Sequence, residues 1–445
     1  LSFSPFLFLL VTIMVHKLLI IGAGFGGNGV IHGLMEAEKN FQDEAGVSSP
    51  TSLFAGELEI TLLDRKTKLS IGGTWQFMWS SRLSLQQQQI EWPLADLQAN
   101  HLDNVKLIAG NDDATVETLA LPEKRVILSN GTSIEFDTLV LSPGVISDPS
   151  GIPGLVPINC DYSDPTKQAL DVCNIQHVSL IQRGIDQVLE QAKTSMQTVL
   201  ICVTKVPYKC PPLPFEVASL VDDLRRERGV LENVKILLSI PVKFPFAGPP
   251  AEAFFKDLLQ QQSIEFLPNH EVKEFINGTT VEFTLADGSS TSKQIKADLI
   301  LATFPQRAPD FCRPLCGPHG YIPVNLQTNR VEAITTVPVY AIGDACHAMF
   351  PKPNKPHPKA GEFAFQMGVH VANQIVATFK NQSIAPPTRE ASCVAECGMN
   401  GKGVNIRPNF TEILASPETA LPQFAFPLIE NAATHKQEWV NGYLQ

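Results

Sequence analysis

The chain has 445 residues, of which 44% are hydrophobic and 18% are charged, and its formal net charge at pH 7 is −11. This length and apolar content suffice for two or three domains with buried cores, and the acidic balance argues against a nucleic-acid partner. Apart from an N-terminal candidate there is no run of 18 apolar residues, which excludes a polytopic membrane protein.

The first 13 residues, LSFSPFLFLLVTI, are apolar and contain no basic residue. They fit the end of a signal sequence, a membrane anchor or translated upstream sequence, and the residues leave these alternatives open. The first strand pattern starts after Met14, so we assign residues 1–13 to a segment of unknown role.

The next predicted element is a strand, turn and helix in HKLLIIGAGFGGNGVIHGLMEA. It contains Gly22, Gly24 and Gly27 at the spacing G-x-G-x-x-G. Gly22 permits a tight turn, Gly24 lets the backbone approach a pyrophosphate, and Gly27 allows close packing of helix on strand. A glycine-rich structural turn is the alternative, but the flanking strand and helix patterns favour a dinucleotide site.

The strand-like run ELEITLLDR supplies Asp64, with Arg65 beside it, as the candidate acceptor for a ribose hydroxyl. Asp64 lies about 40 residues past Gly22, whereas roughly 20 is usual in this fingerprint. The polar stretch 39–56 would account for the difference as a surface insertion.

A hairpin at Asn130-Gly131 and a buried strand that ends at Pro143 and Gly144 close the first lobe. A second βαβ lobe follows. It consists of a helix candidate from Cys173 to Thr194, the strand MQTVLICVTKV, the helix PPLPFEVASLVDDLRRERG, the strand VKILLSIPV, a helix over residues 252–262 and hairpin strands.

The strand–helix junction of the second lobe, from Cys202 to Pro214, contains no glycine and several prolines. Enzymes that take hydride from a nicotinamide carry a glycine-rich turn at this junction, and prolines lack the N–H donors that a phosphate needs. The junction therefore argues against tight NAD(P)H binding.

Cys210 lies in the same junction, just before two prolines that suit the first turn of a helix. With Lys205 and Lys209 nearby, its pKa is expected to lie below the free value of ~8.5, which favours nucleophilic attack. The alternative is a small buried side chain that fills space beneath the loop.

The strand VPVYAIGD ends on Gly343 and Asp344, and a helix opens near Lys359 and Ala360. A carboxylate at the end of a strand can accept a hydrogen bond from a ribityl hydroxyl, and a helix start directs free N–H groups at an anion. A reduced flavin ring is such an anion, so these residues predict a bound flavin. Lys359 would place a cation at the N1–C2 edge of the flavin, or it is a solvated residue at the helix start.

These elements predict an α/β chain with two Rossmann-like dinucleotide-binding domains, each with an inserted antiparallel hairpin, and a short C-terminal region. The predicted flavin-binding domain has two parts, and the second Rossmann-like domain lies between them. The boundaries are 14–150 and 321–385 for the flavin-binding domain, 151–320 for the second domain and 386–445 for the C-terminal region.

The nine cysteines are scattered and do not form a disulfide framework for a chain of this length. The pairs Cys312/Cys316 and Cys393/Cys397 have no partner pair at zinc-finger spacing, so we expect redox or packing roles and no metal site.

Five motifs resemble the sulfide:quinone oxidoreductase and flavocytochrome c sulfide dehydrogenase branch of the FAD-dependent pyridine nucleotide-disulfide oxidoreductase superfamily. They are the Gly22–Gly27 turn, Leu141-Ser-Pro-Gly144, Pro207-Tyr-Lys-Cys-Pro-Pro212, Tyr340-Ala-Ile-Gly-Asp344 and Pro358-Lys-Ala-Gly-Glu-Phe-Ala364. The element around Cys210 is the specific one, since generic disulfide reductases lack it. The resemblance implies that Cys210 takes up sulfide as a persulfide, and that two electrons then pass through FAD to quinone or cytochrome.

The resemblance also implies an FAD site, whose residues here are Gly22, Gly24, Gly27, Asp64, Arg65, Pro143, Gly144, Gly343, Asp344, Lys359 and Ala360. We expect the second redox cysteine of this branch in the segment 320–327, which contains no cysteine. The nearest candidates are Cys316, Cys312 and Cys346, and we predict Cys316 as the catalytic partner of Cys210, together with Lys359. The segment 68–79 has no counterpart of the flavin-anchoring cysteine, so FAD is expected to be non-covalent.

Four other side chains near the flavin motifs have open interpretations. Phe363 and Phe365 could line a quinone slot, although aromatics at this spacing are more often core. His347 and His357 could relay protons, and a surface position is the simpler interpretation.

The C-terminal segment FAFPLIENAATHKQEWVNGYLQ supports either an interfacial membrane patch or packing on the flavin lobe. The resemblance leaves open a peripheral location on a mitochondrial or bacterial inner membrane, and a homodimer.

Three functions remain at this point. The first is an FAD oxidoreductase that transfers two electrons from sulfide or a low-molecular-weight thiol to a quinone or another acceptor. The second is an NAD(P)H:quinone-type enzyme. The third is a flavin-binding subunit without turnover, which the missing second cysteine would favour.

Overall fold

The computed structural model describes residues 15–45, 57–80, 89–99, 105–155, 164–244, 248–285, 292–352, 354–380, 382–384, 386–398 and 401–444. The apolar segment 1–13 lies outside these residues. So does the end of the predicted insertion 39–56, whose beginning belongs to the helix Phe25–Ala45.

Five parallel strands form the first sheet, in the spatial order Val339–Ala341, Thr138–Leu141, His16–Ile21, Leu58–Asp64 and Val105–Ala109. The inner strands are almost continuously apolar and buried, as expected for a parallel sheet covered on both faces. The strand near residue 340 thus returns the chain to the sheet on which it began.

Two helices, Phe25–Ala45 and Gly361–Lys380, pack closely against each other beside the first sheet. Glycines make this contact possible, because a Cβ atom at Gly29 would lie 2.1 Å from the Phe365 carbonyl oxygen. The helix after the glycine-rich turn and the helix after Lys359 therefore start side by side.

A second sheet of five parallel strands has the order Ala169–Asp171, Leu299–Thr303, Gln197–Val203, Val234–Ser239 and Glu265–Leu267. The helices Val178–Gln191, Leu213–Glu227 and Gly248–Gln261 connect its strands. The helix predicted over 173–194 is shorter than expected and follows a 3₁₀ turn at Ile175–His177. The two sheets confirm the predicted α/β fold.

Each parallel sheet carries a three-stranded antiparallel insertion. The first consists of Val116–Ala120, Arg125–Leu128 and Ser133–Glu135, and the second of His270–Ile276, Thr280–Leu285 and Ser292–Lys296. The turn predicted at Asn130-Gly131 is present, with Gly131 at φ +82°.

Short elements complete the two lobes. The strands are Lys68–Ser70, Glu91–Pro93, Ile146–Ser147, Gln306–Arg307, Ile322–Pro323, Cys346–His347, Met349–Phe350 and Lys355–Pro356, and the helices are Phe77–Ser80, Leu94–Ala99 and Asn111–Ala114.

The C-terminal region is more ordered than its sequence pattern indicates. The strands Cys393–Glu396, Gly403–Asn409, Gln423–Ala425 and Leu428–Ile429 form an antiparallel sheet, with the helices Thr411–Ala415 and Ala432–Leu444. Ala395 and Val404 pack into the core of the second lobe, whereas Val440 packs into the core of the first. This region therefore connects the two lobes.

Within the part of the chain that the structure describes, no helix has the length and apolar character needed to cross a membrane.

Candidate active site

A cavity of about 930 Å³ brings together residues of both lobes and of the C-terminal region. A volume of this order suits a large organic ligand. The residues predicted from sequence that line it are Gly22, Gly24, Asp64, Arg65, Pro143, Gly144, Cys210, Gly343, Asp344, Lys359 and Ala360. Of the residues assigned to FAD, only Gly27 does not line the cavity.

The three glycines of the turn have different physical roles. Gly22 has φ +105°, and a Cβ atom there would lie 2.1 Å from the Ser142 carbonyl oxygen. A Cβ atom at Gly27 would lie 1.9 Å from the Gly22 carbonyl oxygen. Gly24 differs, because a Cβ atom there would meet no protein atom within 4 Å. Gly22 and Gly27 thus serve the folding of the turn, and Gly24 keeps space free in the cavity.

Asp64 ends its strand with both carboxylate oxygens bound to the backbone. Oδ2 accepts a hydrogen bond from the Ala23 N–H at 2.8 Å, and Oδ1 accepts one from the Lys66 N–H at 2.8 Å. The residue predicted as a ribose acceptor therefore also holds the glycine-rich turn in place.

We expect Asp64→Ala to weaken FAD binding by about 10- to 100-fold, because hydrogen bonds to a charged group contribute roughly 1.5–3 kcal/mol. FAD titration of the apoprotein, followed by flavin fluorescence, measures the change. Asp137→Ala is the matched control, since Asp137 Oδ2 also accepts a backbone N–H, from Lys17 at 2.9 Å, but does not line the cavity. Equal losses of affinity in the two variants would contradict a specific role for Asp64.

Lys359 is buried, with only 4% of its surface exposed. Its ammonium group donates to the carbonyl oxygens of Asp344 at 2.6 Å and Cys346 at 2.9 Å, and lies 4.0 Å from the centre of the Tyr321 ring. Burial lowers its pKa from the ordinary value. The interpretation of Lys359 as a solvated residue is therefore wrong.

Lys359 also positions Cys210. The Cys210 N–H donates to the Lys359 carbonyl oxygen at 2.8 Å, and Lys209 and Lys359 form a parallel bridge. The loop before the helix Leu213–Glu227 is thereby attached to the start of the helix Gly361–Lys380. This contact places the Cys210 thiol at the predicted flavin site.

The thiol of Cys210 forms a hydrogen bond with the thiol of Cys393, and both side chains line the cavity. The hydrogen bond with Cys210 lowers the pKa of Cys393. Sharing that bond, together with burial, raises the pKa of Cys210. The lowered pKa predicted for Cys210 is wrong. Both thiols are partly buried, and the interaction between them raises one pKa of the pair and lowers the other.

Cys316, the predicted partner of Cys210, lies in another environment. Its thiol donates to the Cys312 carbonyl oxygen at 3.2 Å, and its side chain packs against the core of the first lobe. Cys316 does not line the cavity, and burial raises its pKa. The structure thus pairs Cys210 with Cys393 and corrects the choice of Cys316.

Sequence reasoning missed Cys393 because its nearest cysteine, Cys397, suggested only a local pair. Cys393 lies more than 180 residues after Cys210, and a strand absent from the predicted elements carries it. A further thiol, Cys173, also lines the cavity, and burial raises its pKa to about 12.

The two aromatic residues assigned to a quinone slot do not line the cavity. Phe363 is buried against Phe410 at 4.9 Å and against His357 at 4.7 Å between ring centroids. Phe365 contacts Tyr443 of the C-terminal helix. Phe363 is therefore a core residue, and the surface position expected for His357 is wrong, because its ring is buried and burial lowers its pKa well below the ordinary value.

The C-terminal helix Ala432–Leu444 covers part of the cavity with Lys436, Trp439 and Val440. Trp439 stacks on Phe25 at 5.4 Å between ring centroids and donates from Nε1 to Glu362 Oε2 at 3.1 Å. This part of the C-terminal segment packs on the flavin lobe, in agreement with one of the two alternatives left open.

Comparison with known proteins supports the resemblance found in the motifs. No family model matches the sequence. A curated relative, the mitochondrial sulfide:quinone oxidoreductase of Schizosaccharomyces pombe, is 22% identical over 339 residues, which are 74% of this chain and 68% of the relative.

Among solved structures, the sulfide:quinone oxidoreductase of Aquifex aeolicus matches with a TM-score of 0.74 at 17% identity, over 97% of this chain and 91% of that chain. NDH2 from Plasmodium falciparum in complex with NADH matches with a TM-score of 0.63 at 14% identity, over 88% and 89% of the two chains. These matches confirm the predicted resemblance and the fold class.

Proposed function

We propose that the protein is an FAD-dependent oxidoreductase that transfers two electrons from sulfide, or a related low-molecular-weight thiol, to a quinone. The transfer uses the Cys210/Cys393 pair and a bound flavin. The observation that carries this proposal is the contact of two thiols from distant segments in a cavity lined by ten residues assigned to FAD. The similarity to two sulfide:quinone oxidoreductases supports it.

The cavity fits FAD in its local chemistry. The open space at Gly24 lets a pyrophosphate approach the backbone, and Ala360 and Gly361 line the cavity at the start of a 20-residue helix, where N–H groups are free to bind an anion. The cavity-lining residues between 68 and 79 include no cysteine, which supports non-covalent binding. Bound FAD would supply a two-electron acceptor beside the dithiol.

The cysteine pair can perform the sulfur chemistry by thiol–disulfide exchange. In the oxidised pair, hydrosulfide attacks one sulfur of the disulfide, the S–S bond breaks, and the other cysteine leaves as a thiolate. The first cysteine then carries a persulfide. The lowered pKa of Cys393 makes it the sulfur that more readily holds the negative charge.

The two alternatives have less support. The strand–helix junction of the second lobe lacks the glycine-rich turn that a second dinucleotide needs, which disfavours an NAD(P)H-dependent enzyme. The interpretation as a flavin-binding subunit without turnover requires that no second cysteine lies beside Cys210. Cys393 supplies that second thiol.

We expect anaerobic addition of sulfide to bleach the visible flavin absorbance, and NADH to leave it unchanged. In Cys210→Ser the bleaching by sulfide should disappear while bound FAD is retained. Bleaching by NADH alone would assign the chain to the pyridine-nucleotide class. No bleaching by either donor would favour the subunit without turnover.

A quinone acceptor dissolves in lipid, so we also propose peripheral association with a membrane surface. Leu428 in the C-terminal sheet and Leu421 just before its strand Gln423–Ala425 are 73% and 60% exposed and offer apolar contacts for this association. A mitochondrial or bacterial inner membrane as the location, and a homodimer, stay predictions.

A further inference from the structure

Three ionisable side chains meet in the protein interior next to the dithiol. Glu216 belongs to the helix Leu213–Glu227, Glu396 to the strand Cys393–Glu396, and Lys436 to the C-terminal helix. Their exposed fractions are 3%, 1% and 6%. We refer to these three residues as the charge cluster.

Direct hydrogen bonds hold the charge cluster together. Lys436 Nζ donates to Glu216 Oε1 and, at 3.3 Å, to Glu396 Oε1. Glu216 Oε1 also accepts the Glu396 N–H at 2.8 Å, and Glu216 Oε2 accepts Gln76 Nε2 at 3.1 Å. Four segments of the chain are therefore fixed at one point.

The same segments carry the two reactive thiols. Glu216 follows Cys210 by six residues, and Glu396 follows Cys393 by three. Glu216 and Lys436 line the cavity together with both thiols. Any shift between the helix and the strand would separate the thiols, and the hydrogen bonds of the charge cluster oppose such a shift.

Stability alone does not account for this arrangement. Removing ions from water has a penalty of several kcal/mol per ion, and well-packed apolar residues often replace a buried ion pair without loss. With all three groups ionised, the cluster has two negative charges and one positive charge. A charged cluster in this position therefore points to a role in the chemistry of the neighbouring thiols.

We propose that the charge cluster holds Cys210 and Cys393 in contact, and that its cation and carboxylates control the charge that this pair of thiols can carry. Lys436 stabilises the Cys393 thiolate, and Glu216 opposes excess negative charge on the pair. Both residues are positioning residues. Only the use of that thiolate in sulfide oxidation depends on the proposed function.

The electrostatic effects of the two residues have opposite signs. The negative charge of Glu216 raises the pKa of both Cys210 and Cys393, whereas the positive charge of Lys436 lowers the pKa of Cys393 and also interacts with Cys210. Two further groups face the pair from other elements. The charge of Glu362 raises the pKa of Cys393, and Cys173, when ionised, raises the pKa of Cys210.

The pH dependence of alkylation tests the inference. Reduced holoenzyme is treated with iodoacetamide between pH 5 and pH 10, and mass spectrometry of the Cys393 peptide gives the rate constant at each pH. We expect Lys436→Met to raise the midpoint by about one pH unit, which is about a tenfold loss of rate below the midpoint. Glu216→Gln should lower the midpoint by a similar amount, and Lys436→Arg should restore most of the wild-type value.

A purely structural role predicts a different result, because loosening the site would move both variants in the same direction. Shifts of the same sign, or no shift in either variant, would overturn the inference. Glu282→Gln, which removes a carboxylate paired with Lys273 outside the cavity, is the control and should leave the midpoint unchanged. If Lys436→Met yields no folded holoenzyme, the nearly isosteric Glu216→Gln decides the question alone. A lowered midpoint in that variant supports the inference, and an unchanged or raised midpoint overturns it.

This measurement separates the inference from the proposed function, because alkylation needs neither sulfide nor quinone. Opposite shifts without sulfide-dependent bleaching would support the charge cluster and reject the sulfide reaction. Bleaching by sulfide without opposite shifts would support the sulfide reaction and reject the role of the charge cluster.

Discussion

Cys393→Ser should lower the rate of sulfide-dependent flavin reduction by about 100-fold or more, a loss as large as that expected for Cys210→Ser. A hydroxyl group cannot form a disulfide, and both thiols are needed to accept the sulfur and to hold the displaced charge. Anaerobic stopped-flow absorbance of the flavin, with sulfide in excess, measures the rate in each variant.

Cys316→Ser is the matched control for this experiment. Its thiol donates to the Cys312 carbonyl oxygen and does not line the cavity, and a serine hydroxyl can make the same hydrogen bond. We expect a rate within about twofold of the wild type. A large loss in Cys316→Ser together with a wild-type rate in Cys393→Ser would restore the partner predicted from sequence and reject the Cys210/Cys393 pair.

Gly24→Val should abolish FAD binding without unfolding the chain, and the purified protein should be colourless. A side chain at this position meets no protein atom within 4 Å of its Cβ atom, so the new methyl groups enter the cavity. They would occupy the space in which a pyrophosphate approaches the backbone. We expect the FAD affinity to fall by at least about 100-fold, equivalent to about 2.7 kcal/mol.

Flavin content after purification, FAD titration and the thermal midpoint of the apoprotein measure the effects of Gly24→Val. Gly151→Val is the control, because Gly151 also has no atom within 4 Å of a built Cβ and does not line the cavity. It should bind FAD normally. Normal FAD binding by Gly24→Val would show that the cofactor does not lie against this turn.

Local patterns in the amino-acid sequence determine much of this protein by themselves. Three features show this: the glycine-rich turn, the strand ending at Asp64 and the Gly343-Asp344 junction. In each of them, the residues that a particular backbone conformation requires lie close together in the sequence. An apolar strand, a turn and a helix start form from contacts within about 30 residues. For this reason the α/β fold follows from the sequence, and so do the ten residues assigned to FAD that line the cavity.

The pairing of the thiols is decided only by the tertiary structure. Cys210 and Cys393 belong to segments that meet when the C-terminal sheet packs on the second lobe, and its short strands have too little periodicity for sequence analysis. Tertiary contacts also lie beyond local pattern. The contact with Cys393, together with burial, raises the pKa of Cys210, burial lowers the pKa of Lys359, and packing of the C-terminal helix brings Lys436 against Glu216. Sequence reports which groups occur and what their neighbours in the chain are, whereas reactivity depends on distant groups that exclude water and place charges beside a thiol.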